Sequence, residues 1–268
     1  MPPKFGFRLL EFFRTMSSHL YFVDSGIARA PKTEERLAEL EKNIVELGIA
    51  GQVVRLSPLK TIQDTLSSRN FQNIQTIVGV GGDSLFFDLL DYVCDKPLVL
   101  GMIAFATSPV LKRLGIPEGL DGCKAVAQRI TKPIDCGRIN QKYFFSSVII
   151  PFSYEANLDG RFNLSVDASE AEANGMFMRV VNIDFNEPVP HQAGRLKLEV
   201  VKKTKKMFRG ETSETQSSFI FSKLKISGSS EEPVTADGQK TFKPPLEIMA
   251  APKSLKMIVG KNRHSLFG

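Results

Sequence analysis

Long apolar runs are missing from this 268-residue chain. A membrane helix requires about 18 uninterrupted apolar residues. Phe12 and Phe13 come closest, and Arg8, Glu11 and Arg14 break that stretch within a turn. The N-terminus also lacks an extended apolar centre and a small-residue cleavage site, so no secretory leader is expected. Cysteine is scarce. Cys94, Cys123 and Cys136 are odd in number and without C-x-x-C spacing, which argues against a disulfide framework and a zinc site. Neither an internal repeat nor a low-complexity tract stands out. Together these absences point to a soluble, cytoplasmic protein.

What is present is an ordinary globular mixture, 42% hydrophobic and 24% charged. Disordered, collagenous and coiled-coil chains are excluded by that balance. The length suits one large or two medium domains at about 100–200 residues each. The net charge of +6 is uneven, close to +1 over residues 1–130 and +5 over the remainder. A mildly basic second half suits anionic membranes, nucleotides or nucleic acid without choosing among them.

The first half alternates between two periodicities. Strand-like apolar runs fall at 19–23, 52–56, 76–80 and 97–103. Helical spacing appears at 32–47, with Leu37, Leu40, Ile44 and Leu47 on one face, and again at 84–92. Ser57-Pro58 reads as an N-cap followed by proline at the first helical position, opening a helix to about residue 68. Strand and helix in alternation predict a parallel sheet covered on both faces, a three-layer α/β domain. Beyond about residue 131 the runs shorten and Ser, Asn, Gly and Pro punctuate them. Strands are expected at 143–150, 161–166, 176–183, 195–201, 217–226, 245–249 and 254–259, which predicts an antiparallel sandwich or barrel, taken as a β-sandwich. The division is therefore 1–131 and 132–268.

The strongest local motif is Gly79-Val80-Gly81-Gly82-Asp83-Ser84, between an expected buried strand and an expected helix. In open α/β sheets ligands bind beyond the carboxyl ends of the strands. Paired glycines let backbone approach a ligand, and amides at a helix N-terminus hold phosphate. Asp83 can deprotonate a hydroxyl, reach a magnesium ion through water, or cap the helix. A glycine turn of this length is equally compatible with being only a turn.

In this order, the α/β half, the glycine turn at the third strand and the β-rich half resemble the diacylglycerol kinase catalytic-domain family of lipid kinases. The family hallmark, G-G-D-G-T followed three residues on by Glu, appears as Gly81-Gly82-Asp83-Ser84-Leu85 and then Asp88. Leu85 is similar to the sphingosine kinase branch. Residues 20–26 resemble the first strand and its N-P-x-S-G phosphate turn, retaining Ser25-Gly26. Leu114-Gly115-Ile116-Pro117 matches the family's L-G-I-P, Asp237-Gly238-Gln239 resembles its D-G-E turn, and 245–259 resembles its closing hairpin.

The resemblance implies ATP-dependent phosphorylation of a membrane-lipid hydroxyl, with ATP and magnesium bound in a cleft between the domains. It assigns Asp83 to hydroxyl activation or metal contact, with Asp88 as its neighbour at the metal. Nucleotide would be held by Asp24, Ser25, Gly26, Gly81, Gly82, Ser84, Thr107 and Ser108, and by the Asp237-Gly238-Gln239 turn. Departures cluster in the same places. Ser84 replaces a glycine. Phe105 to Pro109 stands where G-T-x-N-D is expected, and Pro109 removes both a carboxylate and a backbone donor. The acidic pair that precedes a Gly-x-Leu strand in many bacterial members is absent from 191–196. Phosphoryl transfer relies on positioning and on charge neutralised by metal-bound carboxylates. A second expectation is therefore a catalytically degenerate protein of this fold that binds or regulates. A third is a nicotinamide-dinucleotide kinase, which shares G-G-D but not the L-G-I-P and D-G-Q matches.

Three further features carry less. His191, set among Pro188 and Pro190, reads as a loop residue, since nothing pairs it with an orienting group. Lys202, Lys203, Lys205, Lys206 and Arg209 form the densest basic cluster, read as a solvated hairpin tip or as a peripheral contact with an anionic bilayer. The cluster lacks interleaved aromatics, so no nucleic-acid partner is expected. Residues 5–16 place Leu9, Phe12, Phe13 and Met16 on one helical face, which suits packing on the fold or lying in a membrane interface.

Overall fold

In the computed structural model the described residues are 18–28, 33–68, 74–105, 107–160, 162–164, 175–183, 194–206, 210–228 and 231–263. The expected N-terminal helix over 5–16, His191 and Arg209 lie outside them. Two compact units divide the chain: residues 1–133 with 255–268, and residues 134–254. The last residues thus return to the first unit, whereas the sequence reading places all of 132–268 in the second.

The first unit is α/β. Its strands are β1 (His19–Val23), β2 (Gln52–Arg55), β3 (Thr76–Gly81) and β4 (Val99–Ala104), in the order β2-β1-β3-β4 and all parallel. All residues of β1, β3 and β4 are buried, which is why they read as continuous apolar runs. Helices α1 (Ser25–Ala28), α2 (Thr33–Glu46), α3 (Ile62–Ser68), α4 (Asp83–Val93), α5 (Pro109–Arg113) and α6 (Asp121–Gln128) connect or flank them. Leu37, Leu40 and Ile44 of α2 join Tyr21, Val23, Val78, Val80 and Val126 in one core. The Tyr21 hydroxyl, sealed inside, donates to the Ile49 carbonyl at 2.6 Å.

Helix α3 corrects an expectation. It begins at Ile62 rather than behind Ser57-Pro58, because 57–60 close a tight turn of their own, Ser57 and Lys60 exchanging backbone hydrogen bonds. Thr61 and Asp64 then cap the helix reciprocally. The Asp64 amide donates to Thr61 Oγ1 at 3.1 Å, and the Thr61 amide donates to Asp64 Oδ2 at 3.1 Å.

The second unit is antiparallel β. One sheet runs β12 (Gly210–Phe221), β11 (Leu196–Lys206), β10 (Met176–Val181), β7 (Ser147–Pro151), β14 (Val234–Ala236) and β15 (Lys240–Phe242). The other ladder contains β8 (Glu155–Leu158), β9 (Phe162–Leu164), β13 (Lys223–Ser227) and β16 (Leu246–Ile258), with β5 (Thr131–Ile139) and β6 (Lys142–Phe144) beside it. Val148, Ile150, Met178, Val180 and Leu198 from the first sheet meet Ala156, Leu158, Leu224, Ile226 and Ile248 from the second in a single core. This is the expected sandwich. On the outer face of the first sheet, buried Glu199 accepts from Arg179 at 2.6 Å and Lys197 at 2.8 Å.

The basic cluster is placed differently from the reading as a hairpin tip. Strand β11 continues through Lys206, so Lys202 and Lys203 are strand residues, and Lys203 Nζ lies 5.5 Å from the centre of the Phe177 ring. Among the described residues no helix is long and apolar enough to cross a membrane.

Gly137 of β5 faces Phe144 of β6 across the ladder, and a Cβ on Gly137 would fall inside the Phe144 ring. Phe144 is fully buried in the sandwich core, so its ring moves only by displacing other core side chains. Gly137→Ala is expected to cost about 1–3 kcal/mol through overpacking, read as a lower denaturation midpoint. An unchanged midpoint contradicts this packing.

Candidate functional site

The carboxyl ends of three adjacent parallel strands bring the motif residues of the first unit together. After β1 comes Asp24, after β3 come Gly82 and Asp83, and after β4 come Phe105 and Ser108. Backbone bonds tie these turns to one another. The Asp24 amide donates to the Val80 carbonyl at 3.0 Å, and the Phe105 amide donates to the Gly81 carbonyl at 3.2 Å.

Gly81 eases this convergence. A Cβ there would meet Asp24 Cβ at 3.0 Å and Leu85 Cδ2 at 3.0 Å, tighter than ordinary contact, so any larger residue would push the first-strand turn away by a few tenths of an ångström. Gly82 has extended backbone and sits at the N-cap of α4 without a side-chain cap. Of the two glycines, Gly81 serves packing and Gly82 the start of the helix.

Asp83, at the first position of α4, is held from the neighbouring strand's turn. The Ser108 hydroxyl donates to Asp83 Oδ1, while Ser108 Oγ itself accepts from the Leu111 amide at 3.0 Å and so caps α5. The Val110 amide lies 3.5 Å from Asp83 Oδ2. Ser108 is 3% exposed, and Pro109 occupies the first turn of α5, where its missing N–H costs no hydrogen bond. Thr107 beside it is exposed.

The remaining sequence-derived residues divide. Asp24 Oδ1 accepts from the Gly26 amide at 2.7 Å, an Asx turn that orders Ser25 and Gly26 at the start of α1. Ser84 is exposed on the first turn of α4. Asp88, also exposed, is five residues beyond Asp83, about 140° round the helix and about 7.5 Å along it. The two carboxylates therefore do not converge on one ion. Among the described residues no group of three or more His, Cys, Asp or Glu side chains is placed to hold a metal. With no cluster of acidic side chains around Asp83 and its Oδ1 engaged by Ser108, the described residues do not fit a resident magnesium site.

In the second unit, Asp237 is a structural staple. Its Oδ1 accepts from the Ser146 amide and hydroxyl, both at 2.8 Å, and its Oδ2 from the Phe145 amide at 2.8 Å. Asp237 has positive φ (50°), and Gly238 follows it at the exposed tip of the turn between β14 and β15. The Gln239 amide closes that turn on the Ala236 carbonyl at 3.1 Å. Leu114 of L-G-I-P is also structural, buried and accepting from the Gly260 amide at 2.9 Å.

One residue escaped the motif reading. Arg36, in the first turn of α2, stacks its guanidinium 4.6 Å from the centre of the Phe105 ring. Stacking occupies the flat face of a guanidinium and leaves its N–H edge available. Among the described residues Arg36 makes no ion pair, whereas nearby Arg55 is neutralised by Glu34 through paired bonds of 2.6 and 2.8 Å. No sequence signal marks Arg36, because its partner ring lies 69 positions away.

Comparison with known proteins fits this architecture. A solved structure described as a diacylglycerol kinase from Bacillus anthracis str. Sterne matches with a TM-score of 0.67 and 16% identity, over 91% of this chain and 97% of the other. Two further solved structures of diacylglycerol-kinase type from the same strain match at TM-scores of 0.68 and 0.66, with 15% and 16% identity, over 91% of this chain and 98% of theirs. The chain has the diacylglycerol kinase fold. No protein-family profile and no curated protein matches the sequence.

Burial pushes the Asp237 carboxyl above the ordinary carboxylate range, against the opposing pull of the Phe145 and Ser146 amides. A carboxyl with a raised folded-state value adds stability below its unfolded value, and this is lost as pH rises through the folded one. Relative to Asp237→Asn, which does not titrate, the wild-type unfolding free energy is therefore expected to fall across that window. Urea titrations of both proteins from pH 3 to 7 check the sign, and a rise contradicts it.

Proposed function

We propose that this chain transfers the terminal phosphoryl group of ATP to a hydroxyl of a membrane lipid at the carboxyl edge of the first unit's sheet. One observation carries the reading: Asp83 is oriented by Ser108, next to the turn where Asp24 closes on Gly81, in a fold shared with diacylglycerol kinases. A carboxylate held firmly by the Ser108 hydroxyl on one oxygen, and only by the long Val110 amide contact on the other, presents that second oxygen in a defined direction, as a general base requires. Asp83 Oδ2 takes the proton of the acceptor hydroxyl as its oxygen bonds to the γ-phosphorus and ADP leaves. The N-terminus of α4 behind Gly82 and the N–H edge of Arg36 hold the triphosphate. Because the residues do not fit a resident ion, magnesium enters as the counter-ion of ATP, part of the substrate. Lys202 and Lys203 supply positive charge for a peripheral bilayer contact.

A second reading has observations of its own. Pro109 and Gln239 stand where the family pattern has Asp and Glu, and no cluster of metal-binding side chains occurs among the described residues. Both favour a protein that binds nucleotide without turning it over.

Radiolabelled ATP and mixed lipid extract distinguish the two. The wild type is expected to label a lipid spot, and Asp83→Asn to lower that rate by about 100-fold or more while binding ATP within a few-fold of wild type. ATP binding without label in either protein gives the second reading, and no ATP binding at all overturns both. Separately, Arg36→Ala is expected to weaken ATP binding about tenfold in calorimetry, near 1.4 kcal/mol, with Arg36→Lys in between. Unchanged affinity removes Arg36 from the site.

A further inference from the structure

Behind β2 the chain makes a tight turn, Ser57-Pro58-Leu59-Lys60, and its leucine is 95% exposed. No other exposed large apolar side chain among the described residues exceeds 63%. Isolated apolar side chains on a surface are ordinary. This one is set on a stiff turn that denies it any neighbour. Ser57 and Lys60 exchange backbone hydrogen bonds of 3.2 and 2.9 Å across the turn. The Leu56 amide donates to the Val23 carbonyl at 2.9 Å, which fastens the near side to β1, and the reciprocal cap of Thr61 and Asp64 fastens the far side. Pro58 fixes one further backbone torsion.

The place of the turn is as specific as its shape. Strand β2 runs parallel to β1, and β1 to β3, so the turn lies at the same carboxyl edge as Asp24 and Asp83. Only β1 separates β2 from β3, an offset of two strand spacings or about 10 Å. The acidic groups around the turn are engaged. Glu34 is paired with Arg55, and the Asp64 carboxylate accepts from the Thr61 amide and hydroxyl. Lys60 is exposed and makes no ion pair among the described residues.

We propose that this turn inserts Leu59 into an anionic lipid bilayer, with the Lys60 ammonium at the level of the phosphates. An apolar tip beside a lysine is how side chains straddle such an interface, the carbon atoms below and the charge above. A turn already fixed at both ends loses little conformational freedom on insertion. Burial of one leucine strengthens partition about 10- to 100-fold, and one lysine near anionic headgroups about fivefold. Contact of that strength is reversible. Its use to the protein rests on the phosphoryl-transfer reading, in which a bilayer-embedded hydroxyl must come within reach of Asp83; the insertion itself does not.

Fluorescence tests the insertion directly. The chain has no tryptophan, so Leu59→Trp sets a single reporter at the tip. On vesicles of phosphatidylcholine with phosphatidylglycerol its emission should shift to the blue, and lipids brominated along the acyl chain should quench it. Val45→Trp should show neither effect, since that position lies about 18 Å along α2 from the helix start at the carboxyl edge. Leu59→Asp, its fold verified by circular dichroism, should co-sediment with these vesicles about tenfold more weakly than wild type, or less. Lys60→Ala should weaken binding about fivefold, a difference that disappears on phosphatidylcholine alone. A wild type that does not bind the vesicles, equal shifts at 45 and 59, or Leu59→Asp binding like wild type overturns the proposal and leaves the turn to a protein partner. None of these measurements needs ATP. Radiolabel transferred to lipid without a shift at 59 removes the insertion alone, and a shift without label keeps the insertion and removes the transfer reading.

Discussion

A single hydroxyl fixes the geometry on which the site depends. Ser108 caps helix α5 and, through the same oxygen, donates to Asp83 at the start of helix α4. The turns after two neighbouring parallel strands are thereby locked to each other, and the carboxylate has one orientation rather than several. The third turn is fastened by the Asp24 amide on the Val80 carbonyl and by close packing of Asp24 against Gly81, where a Cβ would crowd it at 3.0 Å. A parallel sheet gathers its loops at the carboxyl ends of the strands. Here an N-cap and a missing side chain turn that general tendency into a defined cluster.

Much of this was legible in the residues. HLYFV at 19–23 is wholly buried and flanked by polar residues, so its apolar run coincides with the strand. Gly-Gly-Asp between such a run and a helical pattern pointed to the right turn in the right place. The sandwich was readable as a class, but several of its strands were not. Glu155–Leu158 buries only Ala156 and Leu158, too brief an alternation to rise above loop composition. Pro252 and Lys253 divide the last strand into two expected pieces. The structure carries it through because Asp135 Oδ1 accepts the Lys253 amide at 2.7 Å, satisfying a donor the local irregularity would orphan.

The misread details share a cause: each depends on a partner distant in sequence or on competition between local signals. Ser57-Pro58 is a sound helix start by itself, and the stronger reciprocal cap at Thr61 and Asp64 displaced it. Asp237 drew attention as part of a ligand turn, yet its carboxylate is consumed by amides about ninety positions earlier. Asp88 matched a motif position, and helical geometry carries it away from Asp83. Arg36 matched no motif and stands over Phe105. Motif spacing locates a turn well; it does not say which of the turn's side chains are already committed.

On the proposed function a triphosphate rests where these three turns meet. Paramagnetic broadening by manganese-ATP, followed in an assigned amide spectrum, tests it most directly. A triphosphate at this place broadens Asp24 to Gly26, Gly82 to Ser84 and Thr107 to Ser108 first, at substoichiometric manganese, ahead of the rest of the first unit. Broadening that begins elsewhere, or that manganese alone reproduces without nucleotide, would contradict it.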